Sequence, residues 1–203
     1  MAQRRGRPGY DQDSLLAVVV EVFNERGYDG TSMEDLSARL GISKSAIYHH
    51  VSGKEELLRL SVGRALDALF AVLDEPQAVS GRAIDRLEHV VRRSCEVLVK
   101  ELPFVTLLLR VRGNTAAERA ALARRREFDR IVTDLVRLGE EEGDIRRDVD
   151  PALTARLLFG MVNSLSEWYR PDRGLAAQDV ADALAKIAFK GLTESRDPTV
   201  TGA

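Results

Sequence analysis

The 203-residue chain contains one cysteine, three histidines and one tryptophan, and aromatic residues make up 5% of it. A lone thiol, Cys95, excludes a disulfide framework within the chain. Because it sits in an apolar helical pattern, Cys95 reads as a reduced, buried thiol; a redox sensor or an intersubunit disulfide is the alternative. The histidines are His49, His50 and His89. They form no H-E-x-x-H motif, and neither G-x-S-x-G nor the phosphate-cradling G-x-x-x-x-G-K-[ST] occurs. No catalytic residue, metal site or cofactor is expected, and the run Glu140-Glu141-Glu142 reads as solvated. No apolar stretch approaches the roughly 20 residues needed to span a bilayer. The basic N-terminus lacks the apolar segment of a secretory signal, so a cytoplasmic protein is expected. A net charge of -2 leaves no overall excess of either sign. Affinity for a polyanion would therefore have to come from a local patch.

Alternating β-branched runs are also missing, and helical periodicity takes their place. Residues 12–26 place Leu15, Val18, Val19, Val22 and Phe23 on one stripe, which Gly27 and Gly30 end. Thr31-Ser32-Met33-Glu34 has the form of a capping box, with Thr31 as the cap. It opens a short helix with Met33, Leu36 and Leu40 inward, which stops at Gly41. Ser43 caps a second short helix, Lys44 to His50. Ser52-Gly53-Lys54-Glu55 has the form of a second box and opens a helix over 53–75, which Pro76 closes. Further helices are predicted over 80–100, 103–112, 115–142, 151–169 and 177–193, with Asn114 and Asp150 as caps. The organisation that follows is all-α. A flexible basic arm covers 1–10 and a three-helix helix-turn-helix domain 11–52. A larger helical domain for ligand binding and dimerisation covers 53–193, and a disordered tail 194–203.

Two short capped helices joined by a tight glycine-containing turn are a helix-turn-helix signal. The second helix carries Lys44, Ser45, Tyr48, His49 and His50 as polar residues, a small Ala46, and Ile47 for the core. Small residues at its start allow close approach to a major groove about 12 Å wide. Lys44 suits guanine O6 or N7, Tyr48 and His50 suit phosphates, and Lys54 suits the backbone. Arg4, Arg5 and Arg7 add an electrostatic arm.

The pattern Phe23-x-x-x-Gly27-Tyr28-x-Gly30-Thr31, Leu36-x-x-x-Leu40-Gly41-Ile42-Ser43 and Tyr48-His49-His50-Val51-x-x-Lys54-Glu55-x-Leu57 strongly resembles the TetR/AcrR family of bacterial transcriptional regulators. The resemblance implies a homodimer that binds an inverted-repeat operator in double-stranded DNA and responds to a small-molecule effector. By the same resemblance, Ser43, Lys44, Ser45, Ala46, Tyr48, His49, His50 and Lys54 fall at DNA-contact positions, with Thr31 at a phosphate contact. His49 departs from the aromatic residue usual there. The family is mostly repressors; the sequence itself does not decide between repressor and activator, and it names neither operator nor effector.

The family's pairing of its last two helices implies a dimer interface with Leu157, Met161, Leu165, Trp168, Leu184 and Ile187. These residues also suit an intrachain core. Phe70, Leu98, Phe104, Leu107, Leu108 and Phe128 suit the lining of an apolar effector cavity, or again plain core. Arg110, Arg112 and the Arg124-Arg125-Arg126 cluster suit an anionic ligand or a solvated face. The segment Gly160-Met161-Val162-Asn163, with Trp168-Tyr169-Arg170-Pro171 and the helix after Asp179, resembles regulators of fatty-acid and aromatic-acid breakdown. That second resemblance implies an acyl-CoA effector; a drug-like or other apolar molecule is the alternative. A helical architectural protein without any effector is the rival reading of the whole.

Replacing Arg4, Arg5 and Arg7 by alanine should weaken binding to every duplex alike. The log–log salt dependence should flatten by about 0.9 for each phosphate that the arm no longer neutralises. An unchanged slope in an anisotropy titration would remove the arm from the interface.

Overall fold

The computed structural model describes residues 11–191; Arg4, Arg5, Arg7 and the 194–203 segment lie outside them. Every regular element among these residues is helical, as the all-α pattern predicts. No helix among them is long and apolar enough to cross a membrane.

The first helix, α1 (Gln12–Arg26), starts where the Asp11 carboxylate accepts from the Ser14 amide at 2.8 Å. It ends at Gly27, whose φ of 77° favours glycine. Leu15, Val19, Val22 and Phe23 are buried as the stripe predicts, but Leu16 and Val20 are buried too and Val18 only half so. α1 packs against two partners, α2 (Met33–Leu40) and α7 (Leu102–Arg110), so its apolar surface is wider than one stripe.

Two capping registers differ from expectation. Ser32, not Thr31, caps α2: its hydroxyl accepts from the Asp35 amide at 3.1 Å, and Asp35 accepts from the Ser32 amide at 2.9 Å. Thr31 is buried and donates to the Gly27 carbonyl at 2.7 Å, which ties off the end of α1. Glu56, not Glu55, accepts from the Ser52 amide and hydroxyl at the start of α4 (Lys54–Leu73). Glu55 accepts instead from the Ala117 amide at 3.1 Å. Gly41 ends α2 in the left-handed region, φ 67°. Ser43 caps α3 (Lys44–Tyr48), accepting from the Ala46 amide at 3.2 Å. α3 stops at Tyr48, so His49 and His50 occupy the turn that follows.

Pro76 opens a short helix, α5 (Pro76–Val79), rather than merely closing α4. α6 (Ala83–Lys100) has its first amide met by the Glu142 carboxylate at 2.7 Å, so one member of the acidic run is a cap. At α8 (Ala116–Glu142) the cap is Thr115 rather than Asn114, its hydroxyl accepting from the Glu118 amide at 3.1 Å. The buried Glu118 carboxylate in turn accepts from the amides of Arg112, Gly113 and Asn114. α9 (Pro151–Trp168) starts as predicted, with Asp150 as cap and proline at the first position. After a 3-10 turn at Pro171–Arg173, α10 (Ala177–Lys190) completes the described chain.

The chain forms two compact units, and they interleave in sequence. The first holds the described residues up to Asp67 together with Glu101–Arg126; the second holds Ala68–Lys100 and the described residues from Glu127 on. α4 and α8 each contribute to both. In the first unit, α7 is fastened to the end of α1. The Asn24 amide donates to the Pro103 carbonyl at 2.8 Å, and Arg110 donates to the Asn24 carbonyl at 2.9 Å. Arg64 of α4 donates to the buried Glu101 at 2.6 Å while its guanidinium lies 4.3 Å from the Phe104 ring centroid.

In the second unit, α6 packs against α9 and α10. Phe70, Phe128 and Phe159 make consecutive edge-on contacts, with centroids 5.7 and 5.2 Å apart. Cys95 is buried, and burial pushes its thiol up to about 12. That is the environment of an inert thiol rather than a thiolate.

Candidate DNA-reading head

The head is built around a helix too short to hold itself. α3 has five residues and one buried side chain, Ile47. Isolated helices of this length are unstable in water, so the surroundings set its pose. Below it, Leu36 and Leu40 of α2 are buried, and the Ser37 hydroxyl donates to the Ile42 carbonyl at 2.6 Å across the turn. The opposite face carries Lys44, Ser45 and Tyr48, which is 51% exposed, and the turn beyond adds exposed His49 and His50. Ala46 is half-buried and Ser43 is exposed but committed to capping. The fold therefore brings Ser43, Lys44, Ser45, Tyr48, His49 and His50 to one solvent-facing segment.

Two residues expected at the DNA turn inward. The Lys54 ammonium donates to the carbonyls of Tyr28 at 2.9 Å and Thr31 at 2.8 Å, and lies 4.3 Å from the centroid of the Tyr28 ring. It clamps the loop between α1 and α2 onto the start of α4. Thr31 is buried in the same loop, its hydroxyl already donated.

The charge of this head is mostly cancelled internally. Arg26 pairs with Asp35 at 2.7 Å, Arg39 with Glu25, and Lys44 with Glu34. Acidic residues outnumber basic ones between Asp11 and Leu60. The hydrogen bond that Lys44 donates to Glu34 holds Glu34 below the usual carboxylate range and Lys44 above the usual lysine range. In the sequence Glu34 fits only a capping box; its ion pair with Lys44, ten residues on, crosses the turn and has no local signature.

A family model described as "Bacterial regulatory proteins, tetR family" matches residues 15–60. A second, "Tetracyclin repressor-like, C-terminal domain", matches residues 80–192. The chain belongs to the TetR family of transcriptional regulators. It is 58% identical to the TetR-family regulator SCO3833 of Streptomyces coelicolor, whose crystal structure superposes with a TM-score of 0.85 over 93% of this chain and 94% of that one. The HTH-type transcriptional repressor KstR2 of Mycobacterium tuberculosis is 27% identical over 93% of this chain and 96% of its own length. The KstR2 structure gives a TM-score of 0.81 at 26% identity, covering 92% of this chain and 98% of that one. At 23% identity the fold also matches AibR, in a crystal with isovaleryl coenzyme A and operator DNA, with a TM-score of 0.73 over 87% of this chain and 97% of that one.

The residues expected for an effector cavity divide between the units. Phe104, Leu107 and Leu108 are buried on α7, in the first unit with α1. Phe70, Leu98 and Phe128 lie in the second. There the Ser94 hydroxyl is buried without a hydrogen-bond partner among the described residues.

The surface of α9 and α10 bears an apolar groove of about 380 Å³, lined by Met161, Leu165, Trp168, Leu175, Leu184 and Ile187 among others. Leu157 is 58% exposed, Trp168 51% and Ile187 44%. Leu165 and Leu184 are buried and floor the groove rather than project from it, while Leu153, four residues before Leu157 on α9, is exposed. A Cβ added to Gly160 would meet nothing within 4 Å, so no neighbour among the described residues explains that glycine.

Lys54→Ala should destabilise the protein by about 1–2 kcal/mol, since two carbonyls lose a charged donor at a half-buried site. Denaturant unfolding measures it. Unchanged stability with weakened DNA binding would return Lys54 to the phosphate-contact role.

Proposed function

We propose that the chain is a homodimeric, non-enzymatic cytoplasmic repressor that docks α3 of each protomer into successive major grooves of an inverted repeat. A small-molecule effector releases it. The exposed face of Lys44, Ser45, Tyr48, His49 and His50, set on a helix anchored by Ile47, is the observation that carries this reading. A dimer of such heads reads half-sites about 34–36 Å apart, or a related longer spacing.

The second copy occupies the groove of α9 and α10. An apolar strip with Leu157, Trp168 and Ile187 standing in solvent is costly to leave bare. A twofold pairing would bury it against its own equivalent. The pair Leu157→Glu with Ile187→Glu should therefore convert the protein to a monomer in sedimentation and abolish operator binding, with the helical circular-dichroism signal retained. A dimer that survives both changes would place the interface elsewhere.

The effector enters the second unit near Phe70, Leu98 and Phe128; the same unit holds the buried Ser94 hydroxyl, which lacks a hydrogen-bond partner among the described residues and could serve a ligand. An acyl-CoA thioester is the class proposed, since the fold shared with AibR holds one alongside operator DNA. The effector must bind the two states of the dimer differently; each tenfold loss of operator affinity needs about 1.4 kcal/mol of difference. The test is an anisotropy titration on the intergenic DNA upstream of the chain's own gene, with and without a panel of thioesters. Tight, salt-sensitive binding reversed by one thioester is expected. Tight binding that no thioester reverses would discard the acyl-CoA class and retain the DNA reader.

A further inference from the structure

Lys44 is the one Lys or Arg on α3, and its ammonium is held by a carboxylate from the preceding helix, Glu34. Neither group is buried, and neither is needed for capping, which Ser32, Asp35 and Ser43 accomplish. The neighbouring cations are also engaged: Arg26 with Asp35, Arg39 with Glu25, Lys54 with two carbonyls. Non-specific docking, which follows the backbone without register to the bases, offers Lys44 only a phosphate in exchange for Glu34. One ion pair replaces another, and the released carboxylate is left beside a polyanion. A G·C pair offers something different. Its major-groove edge sets the O6 and N7 acceptors of guanine beside the N4 amino donor of cytosine. An ammonium and a carboxylate held side by side match that edge.

Resting on the assignment of α3 as the reading helix, we propose that Glu34 is a specificity-determining residue, which withholds Lys44 from the phosphate backbone and with it reads one G·C pair in each half-site. Glu34 thus lowers affinity for DNA at large and raises the preference for the operator.

The test compares wild type, Glu34→Gln, Lys44→Ala and the double variant on two duplexes. One is selected by the wild-type protein from a random pool; the other is a shuffled duplex of equal length. Glu34→Gln should bind the shuffled duplex several-fold more tightly, with a log–log salt slope steeper by about 0.9. The ratio of operator to shuffled affinity should fall about tenfold, within the range for one base contact. Selection with Glu34→Gln should lose preference at one G·C pair per half-site, and the variant's effect should vanish in the Lys44→Ala background, a signature that a purely structural role would not give. Equal tightening on both duplexes, or no change on either, overturns the proposal while the DNA reader stands. A wild-type protein that selects no sequence overturns both.

Discussion

Ile47 is the side chain on which the pose of α3 depends. Five residues cannot sustain helical structure in water, and the cap at Ser43 fixes only its start. The buried Ile47 converts a fragment into a rigid element, with α3 packed on α2, whose Leu36 and Leu40 are buried as well. The Lys54 clamp then fixes the loop that leads into α2, and α1 supplies the floor. Ser45, Tyr48, His49 and His50 can face solvent because the burial of Ile47, and not these side chains, holds the helix in place.

Most of this was legible in the sequence, because amphipathic periodicity and glycine punctuation are local signals. The stops of α1 and α2 follow from Gly27 and Gly41, and the start of α9 from Asp150. The failures are those where several residues could supply the same interaction. Thr31 and Ser32 are both competent caps with an acidic residue three places on; the buried bond from Thr31 to Gly27 leaves Ser32 to do the capping. Asn114 and Thr115 present the same ambiguity, as do Glu55 and Glu56. The α9 stripe shows a different limit. Leu157 and Leu158 are equally apolar, and only packing against α6 separates the buried Leu158 from the exposed Leu157.

Charge was the least legible property. Lys44, Lys54 and Thr31 all have the chemistry of DNA contacts, yet two of the three are engaged within the head and the third is held by Glu34. Polar residue type announces what a side chain can do; its partners decide what it does. The same holds for the acidic run at the end of α8, where Glu142 caps α6.

The fastening of α7 to α1 bears on modularity. The residues that read as a DNA-binding domain end near Ser52, but the unit they belong to includes Glu101–Arg126. Cutting the chain after Asp67 would strip Asn24 of both its α7 partners and bare the face of α1 that α7 covers. Such a reading head is not a transplantable cassette. A chimaera that borrows its DNA preference would have to carry α7 along, and exchange between relatives is constrained to swap the two segments together.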